Sequence, residues 1–230
     1  MLEVPDRHSI GRLLRAKGVA AWGVAANRPR LPHAPDFPVA IAIAMRLDPR
    51  IVSGLRSGPS REYLLEYDRV NAALDDATGV LVEHLRAHGQ AAEALPATDR
   101  GEENPGRFPH KTAATSAGLG WIGKTALFVS PQFGPAVRLA TVFTNLALEA
   151  DESITKGRCG RCRVCVDACP AGCGRDVRWH AGMPREQLLD AAACRRHLDA
   201  SAATLGAAIC GICVAACPYA VGAGAEGVTP

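Results

Sequence analysis

The chain lacks a strong excess of charge of either sign. Its 26 lysine and arginine residues nearly balance its 23 aspartate and glutamate residues, so the formal net charge is only +3. This balance gives no general electrostatic reason to expect binding to nucleic acid. With 230 residues, 48% of them hydrophobic, the chain is long enough to bury a core in one large domain or two small ones.

The sequence also lacks a segment typical of a membrane span or a secretory signal. Residues 200–225 carry no charge, but they are mostly alanine and glycine and are interrupted by Pro218. A span needs about 20 strongly apolar residues, and the apolar run from Val39 to Met45 is too short. The charged amino-terminal residues have no apolar core of the kind that a secretory signal contains. We therefore expect a cytoplasmic protein without a membrane partner.

Cysteine is absent from the first 158 residues and then occurs nine times. Seven of the nine stand in two runs that end in Cys-Pro: Cys159, Cys162, Cys165 and Cys169 before Pro170, and Cys210, Cys213 and Cys217 before Pro218. The first run has the CxxCxxCxxxCP spacing that holds a 4Fe–4S cluster, with its fourth cysteine usually reaching a second cluster. Two such runs predict two clusters and the transfer of single electrons.

The second run is one ligand short. When the runs are aligned from their Cys-Pro ends, Ala207 falls opposite Cys159. Two 4Fe–4S clusters need about eight thiolates, and the runs supply seven. Cys173 and Cys194 remain, and the spacing alone leaves open which of them is the eighth ligand and which is spare.

The spacing within each run has a physical reason. Two residues between cysteines make a turn tight enough to follow one corner of a cluster and to direct backbone N–H groups at its sulfur atoms. Three residues before the last cysteine allow about one helical turn, and the following proline stops it. The last thiolate is then directed away from its own run.

Two other interpretations compete with iron–sulfur clusters. Disulfides suit a small secreted scaffold, which the amino terminus does not favour. Structural zinc usually takes paired CxxC knuckles or additional histidines, and it would leave the third cysteine of CxxCxxC without a role. Zinc is the stronger of these two alternatives.

Hydrophobic periodicity predicts an α+β fold. A helix is expected from about Ser9 to Gly18, a long helix from about Ser60 to His88 and a short one over 113–117. Strands are expected in AAWGVA and PVAIAIAMR, and a hairpin is expected between segments 126–130 and 137–144. Tyr63 and Tyr67 share a helix face, which predicts core packing. Composition and periodicity change near Asp151, which predicts one domain over 1–151 and another over 152–230.

A glycine-rich phrase, GLGWIGK, spans residues 118–124. Glycines at alternating positions allow the backbone to approach a flat or bulky ligand. The same glycines could equally serve a tight turn that places Trp121 in the core.

The order of several segments resembles the epoxyqueuosine reductase family, including its shorter relatives. These segments are AGLGWIGK, FGPAVRLATVFTNLAL, CGRCRVCVDACPAG, the AACRRHL segment that contains Cys194, and CGICVAACPYA. The likeness covers about residues 109–220, and RAKGVAAWGVA resembles the opening helix and strand of the family more weakly.

The resemblance implies a nitroreductase-like α/β domain that binds cobalamin and a ferredoxin-like domain with two 4Fe–4S clusters. It implies electron flow through the clusters to a corrinoid, with the cofactor supplying the difficult chemistry. It assigns one cluster to Cys159, Cys162, Cys165 and Cys217, and the other to Cys169, Cys194, Cys210 and Cys213. Cys173 is then the spare. The corrinoid-approaching segment corresponds here to Gly118, Leu119, Gly120, Trp121, Ile122, Gly123 and Lys124.

The chain departs from the family at two places. After Cys217 only 13 residues follow, with CPYA instead of CPWN, so the family's helical repeats have no counterpart and a tRNA partner would lack their grip. The family's proton-donating aspartate corresponds to Asn104, which cannot act as an acid. Nearby acids and one histidine could substitute: Asp99, Glu102, Glu103 and His110. His110 has the most suitable pKa range, although a hydrogen-bonding role in a loop is the simpler interpretation.

We therefore expect an iron–sulfur oxidoreductase that reduces an epoxide on a modified nucleoside in tRNA. A purely electron-carrying protein and a cobalamin-dependent reductase of a small organic substrate are the alternatives. Basic residues around the first run could offset cluster charge or dock an acidic electron donor such as a flavodoxin or ferredoxin. They are Lys156, Arg158, Arg161 and Arg163.

Overall fold

A computed structural model describes residues 4–28, 31, 33–97 and 108–220. These residues form a mixed α/β structure. Its helices are α1 (Arg7–Ala16), α2 (Pro49–Gly54), α3 (Arg61–Ala87), α4 (His110–Ser116), α5 (Val164–Asp167), α6 (Ala191–Leu205) and α7 (Ile212–Ala215). Its strands are β1 (Ala21–Ala26), β2 (Val39–Arg46), β3 (Ala92–Leu95), β4 (Trp121–Ile122), β5 (Phe128–Val129) and β6 (Val137–Thr144). None of the described helices is both long and apolar enough to cross a membrane.

The chain folds into two compact units, each built from separate stretches of sequence. The first comprises Met1–Arg46, Arg69–Leu119 and Arg138–Ile154. The second comprises Leu47–Asp68, Gly120–Val137 and Thr155–Pro230. The division of the chain near Asp151 into two sequential domains stays a prediction.

The first helix confirms the prediction made from its sequence, with a start two residues earlier than expected. Asp6 caps α1 by accepting a hydrogen bond from the Ser9 backbone N–H at 2.7 Å, while the Ser9 hydroxyl accepts from the Asp6 N–H at 3.0 Å. Such a capping box satisfies N–H groups that the first turn cannot pair internally. Gly18, at φ +77°, ends the helix in the left-handed region.

The four-stranded sheet has the order β1-β2-β6-β3. Strand β2 is buried at every position except Arg46, as its uninterrupted apolar run predicts. It pairs antiparallel with β1, with Ala21 opposite Ala44. In the middle of β1, a Cβ on Gly23 would lie 2.6 Å from the carbonyl oxygen of Ala117, so only glycine fits there.

The predicted hairpin between 126–130 and 137–144 is wrong. Strand β5 pairs with the preceding β4, with Trp121 opposite Val129, whereas β6 lies between β2 and β3. Five of the eight positions of β6 are fully buried in succession, from Ala140 to Thr144. A strand so apolar on both faces is stabilised in the middle of a sheet and not in a two-stranded ribbon.

The long helix α3 matches the predicted helix in both extent and packing. Leu74, Leu81 and Leu85 are fully buried, and Gly89 follows the helix at φ +78°. Tyr63 is buried and meets Tyr67 edge to face, with ring centroids 6.3 Å apart. The predicted core role is confirmed for Tyr63, whereas Tyr67 is half-buried.

In the second unit, the one-turn helices α5 and α7 pack against each other. Helix α7 also packs against α2 and the short 3₁₀ turn Leu55–Ser57. The isolated bridge between Gly174 and Leu189 ties the segment after α5 to the segment before α6. These contacts bring all the cysteine-bearing segments into one compact unit.

Candidate iron–sulfur site

Short helices place the cysteines of both runs. In the first run, the Cys162 N–H donates to the Cys159 carbonyl at 3.0 Å, and α5 then carries Cys165 and ends before Cys169. In the second run, α7 carries Cys213 and ends before Cys217. The single helical turn that the CxxxCP spacing predicts is present in both runs.

The cysteines gather as two sets. Burial raises the pKa values of Cys165 and Cys217, and repulsion from Cys159 and Cys162 raises both further. Cys165 also raises the pKa of Cys217, so these four residues lie close together. This first set therefore joins Cys217, from the second run, to three cysteines of the first run. Its members are Cys159, Cys162, Cys165 and Cys217.

The second set contains five cysteines: Cys169, Cys173, Cys194, Cys210 and Cys213. Cys210 and Cys213 each interact electrostatically with Cys169 and Cys194, and Cys213 also interacts with Cys165 of the first set. Cys173 is buried, and its Sγ lies 3.2 Å from the Sγ of Cys169. The two sets have the membership of the two predicted ligand quartets, with Cys173 added to the second, while the ligand roles themselves stay predictions.

Backbone N–H groups are directed at several of these sulfur atoms. Cys169 accepts from the N–H groups of Ala171 and Gly172, and Cys217 accepts from that of Tyr219. Such hydrogen bonds stabilise thiolates and tune the potential of a bound cluster. For Cys169, hydrogen bonds from the backbone and side chain of Cys173, together with those from Ala171 and Gly172, outweigh the effect of burial, and its pKa lies below the ordinary thiol value.

Most of the other shifts run upward. Burial, followed by repulsion from neighbouring thiols, raises the pKa of Cys213 to about 12, and burial raises that of Cys217 to about 12 despite the Tyr219 hydrogen bond. The positive charge of bound iron would favour the thiolate form of these thiols. An all-sulfur donor set is also the chemistry that iron–sulfur clusters use, so the residues fit such clusters. Among the described residues, no three His, Cys, Asp or Glu side chains are placed to hold a single metal ion.

Residues in and next to the glycine-rich phrase donate hydrogen bonds to cysteines of the first set. The indole Nε1–H of Trp121 donates to the Cys159 Sγ at 3.3 Å, and the Thr125 hydroxyl hydrogen-bonds the Cys165 thiol. A Cβ on Gly123 would come within 3.7 Å of the Cys159 Sγ. The sequence did not predict these contacts, because Trp121 and Cys159 are 38 positions apart.

Two glycines of this phrase lie against the protein's own backbone on the side where a side chain would stand. A Cβ on Gly118, at φ +70°, would lie 2.6 Å from the Glu152 carbonyl oxygen, and a Cβ on Gly120 would collide with the Val129 carbonyl oxygen. Trp121, Ile122 and Lys124 are buried, and Leu119 is half-buried. Close packing on the Cβ side therefore requires glycine at these two positions, and the approach of residues 118–124 to a corrinoid stays a prediction.

Lys124 is buried beside a carboxylate near the first cysteine run. Its Nζ lies 2.6 Å from Asp176 Oδ1, and Asp176 Oδ2 lies 2.7 Å from Arg163 Nη1. The Lys124 side chain is only 5% exposed. Its ammonium, together with Arg163, holds the pKa of Asp176 below the ordinary carboxyl value.

Replacing Asp176 with asparagine is expected to lower the thermal unfolding midpoint by several degrees. The buried Lys124 ammonium would lose its counter-charge, which is more costly than losing an exposed ion pair. Asparagine tolerates the left-handed backbone of Asp176, at φ +54°, so strain does not change.

The matched control for this variant is Asp167→Asn. It removes the other, exposed partner of Arg163, at 3.2 Å, and should leave the midpoint nearly unchanged. Equal unfolding midpoints in the two variants would show that the Lys124–Asp176 ion pair does not stabilise the folded protein.

His110 lies in the first unit, at the start of α4. Its Nε2 is 2.8 Å from the Pro96 carbonyl oxygen, and its Nδ1 is 2.9 Å from the Thr141 hydroxyl. Because a carbonyl only accepts, the neutral ring carries its proton on Nε2 and accepts from Thr141 at Nδ1. Burial lowers the pKa of His110. The other proton-donor candidates, Asp99, Glu102 and Glu103, and the aligned Asn104 lie outside the described residues.

These contacts predict a pH effect on stability. A histidine whose pKa falls on folding stabilises the folded protein above its unfolded pKa of about 6.5, and this contribution is lost as the pH falls through the lower folded pKa. We expect His110→Gln to be less acid-sensitive between pH 7.5 and pH 5.5 than the parent, as measured by thermal unfolding at both values. An identical loss of midpoint in parent and variant would contradict this.

No protein-family model matches the chain. Among curated relatives, an epoxyqueuosine reductase of Bacillus anthracis is 36% identical over 67 residues, which are 29% of this chain and 17% of that protein. A tetrachloroethene reductive dehalogenase of Sulfurospirillum multivorans is 33% identical over 121 residues, covering 47% of this chain and 23% of that enzyme. The chain thus spans less than a quarter of the length of these relatives.

Solved structures share the fold over nearly the whole chain. A catabolic reductive dehalogenase matches with a TM-score of 0.77 and 19% identity, covering 99% of this chain and 34% of that one. An epoxyqueuosine reductase with an epoxyqueuosine-modified tRNA stem loop matches with a TM-score of 0.63 and 19% identity, covering 94% of this chain and 65% of that one. The mixed α/β fold is therefore shared with both groups of reductases. The predicted resemblance is confirmed: part of the chain is similar in sequence to epoxyqueuosine reductases, and nearly all of it shares their fold.

Proposed function

We propose that this protein is an iron–sulfur reductase whose second unit holds two 4Fe–4S clusters and passes single electrons through them. The observation that carries the proposal is the gathering of nine cysteines from distant segments into two sets within that unit. In this proposal the second unit corresponds to the ferredoxin-like part implied by the resemblance, and the first unit corresponds to the nitroreductase-like part.

The chain's own residues would hold and tune the clusters. The first set and the second set, without Cys173, supply four thiolates each. Trp121 and Thr125 direct hydrogen bonds at the first set, and backbone N–H groups do so at both. Each bound cluster would accept and release one electron at a time. Hydrogen bonds to ligand sulfur favour the reduced, more negative cluster, so these residues set the potential.

Similar proteins support a candidate for the final electron acceptor and two candidates for the substrate. A reductive dehalogenase of the same fold is described as B12-dependent, which supports a corrinoid as the acceptor. The epoxyqueuosine reductase matches favour reduction of an epoxide on a modified nucleoside in tRNA. The reductive dehalogenase match, which covers more of this chain by sequence and by structure, favours a small organic substrate as the second candidate.

Anaerobic purification followed by iron analysis and electron paramagnetic resonance tests the clusters. We expect about eight irons per chain and two reducible clusters. Zinc in place of iron would overturn the proposal in favour of structural metal sites.

Purification with added cobalamin then tests the acceptor through the visible spectrum. Clusters without any retained corrinoid would support the alternative of a pure electron carrier. If corrinoid is retained, queuosine formation in a strain lacking its own reductase tests the tRNA substrate. If queuosine formation is not restored, turnover of 3-bromo-4-hydroxybenzoic acid can be measured; this compound is bound in the structure of a reductive dehalogenase with a similar fold. Turnover of that compound without queuosine formation would support a reductase of small organic substrates.

Exposed basic residues beside the first run favour an acidic electron donor such as a flavodoxin. Arg161 is exposed, and Arg158 lies over the Trp121 ring at 5.9 Å from its centroid. Arg161→Glu is expected to slow reduction by flavodoxin on the order of tenfold at low ionic strength, with the difference shrinking as salt is added. The control is Arg12→Glu, an equal charge change at an exposed position of the first unit. Equal slowing in both variants would point to net charge and would reject docking at Arg161.

A further inference from the structure

Cys173 is the cysteine that two clusters leave without a ligand role. Its side chain is 3% exposed, and its Sγ lies 3.2 Å from the Sγ of Cys169. It also hydrogen-bonds the Cys194 thiol. A buried thiol in contact with two sulfur atoms of the second set is placed to act on that set.

The backbone holds Cys173 firmly in this position. Its carbonyl oxygen accepts the Asp190 N–H at 2.8 Å, and the next residue, Gly174, forms a bridge with Leu189. Asp190 in turn caps α6 by accepting from the Ala193 N–H at 2.9 Å. Helix α6 carries Cys194, so one set of contacts fixes Cys173 between Cys169 and Cys194.

The short sulfur–sulfur distance argues against a ligand role for both Cys169 and Cys173. Thiolates on different irons of one cluster point to different corners and repel each other, whereas a thiol and a thiolate attract. The 3.2 Å separation fits a hydrogen bond between the two sulfur atoms, in which either could be the donor. Cys169 is the fourth cysteine of the CxxCxxCxxxCP run, and as a cluster ligand in the proposed function it would be a thiolate, which can only accept. The donor is then Cys173.

We propose that Cys173 is a protonated positioning residue of the second cluster, whose S–H donates to the Cys169 ligand sulfur and raises the reduction potential of that cluster. This inference rests on the proposed function, because it requires the cluster. A hydrogen bond withdraws negative charge from the ligand sulfur and so favours the more negative, reduced state.

Redox titration followed by electron paramagnetic resonance, with iron analysis, tests this in the full-length protein. Cys173→Ala is expected to keep all the iron of the parent and to shift one of the two midpoint potentials downward, leaving the other in place. Cys173→Ser, which keeps a donor, is expected to restore at least part of the shift. Leu188→Val, a comparable loss of volume at a buried position of the segment that pairs with the one holding Cys173, is expected to leave both potentials unchanged.

Each other result overturns the inference. Loss of about four irons in Cys173→Ala would make Cys173 a ligand. Unchanged potentials in that variant would make it a bystander, and an equal shift in Leu188→Val would assign the effect to packing. A parent protein that binds no iron would instead overturn the proposed function, so the two failures are distinct.

Discussion

Cys217→Ala is expected to lose about four of about eight irons, and the lost cluster is the one that Cys162→Ala also loses. The physical reason is that Cys217, although it stands in the second run, lies with three cysteines of the first run. A cluster that loses one of its four thiolates exposes an iron and falls apart more readily. Cys210→Ala should lose the other cluster, because Cys210 lies with Cys169 and Cys194.

Electron paramagnetic resonance of the reduced variants distinguishes the two clusters, and iron analysis counts them. Cys173→Ala is the matched control, since it removes a neighbouring thiol that we expect to bind no iron. If Cys217→Ala and Cys210→Ala lose the same signal, each run holds its own cluster and the crossing of Cys217 to the first set is wrong.

Gly120→Ala is expected to lower the apparent free energy of unfolding by about 3 kcal/mol, the upper part of the range for overpacking a core. The added Cβ would collide with the Val129 carbonyl oxygen and lie 2.7 Å from the Phe128 ring. Neither neighbour can move away easily, because both belong to β5, which pairs with β4. The pair of strands would have to separate, and the Trp121 contact with Cys159 would be disturbed.

Denaturant unfolding measures this effect, with Gly79→Ala as the control. Gly79 lies inside α3, and a Cβ there would meet nothing within 4 Å. Alanine should therefore stabilise the helix, by roughly 0.5–1 kcal/mol. Similar unfolding free energies for the two variants would contradict the close packing at Gly120.

Local patterns in the sequence predicted most of the secondary structure. Strand β2, helix α3 and the one-turn helices before each Cys-Pro each depend on side chains within a few residues of one another. The hairpin prediction failed because strand pairing is decided by partners far along the chain. Strand β6 is an apolar segment that needs neighbours on both sides, and β2 and β3 supply them.

The glycine-rich phrase is a second case in which partners far along the chain decided the structure. Its letters allowed either a ligand-facing backbone or a tight turn with Trp121 in the core. Only the folded chain shows that Val129 and Phe128 fill the space beside Gly120, and that the Trp121 indole reaches Cys159. Residues such as Thr125 and Asp176 carried no signal in the sequence, because their roles depend on neighbours 40 or more positions away.

The spacing of the cysteines by itself predicted an iron–sulfur site. The tight turn between neighbouring cysteines and the single helical turn before the last one are local geometry, which any chain with this spacing can adopt. The tertiary structure alone decided what surrounds the thiols. It placed the Trp121 indole nitrogen at 3.3 Å from the Cys159 Sγ and the Asp190 N–H on the carbonyl oxygen of Cys173. Such contacts join segments that are distant in sequence, so they arise from packing and hydrogen bonding across the fold and leave no local pattern to detect.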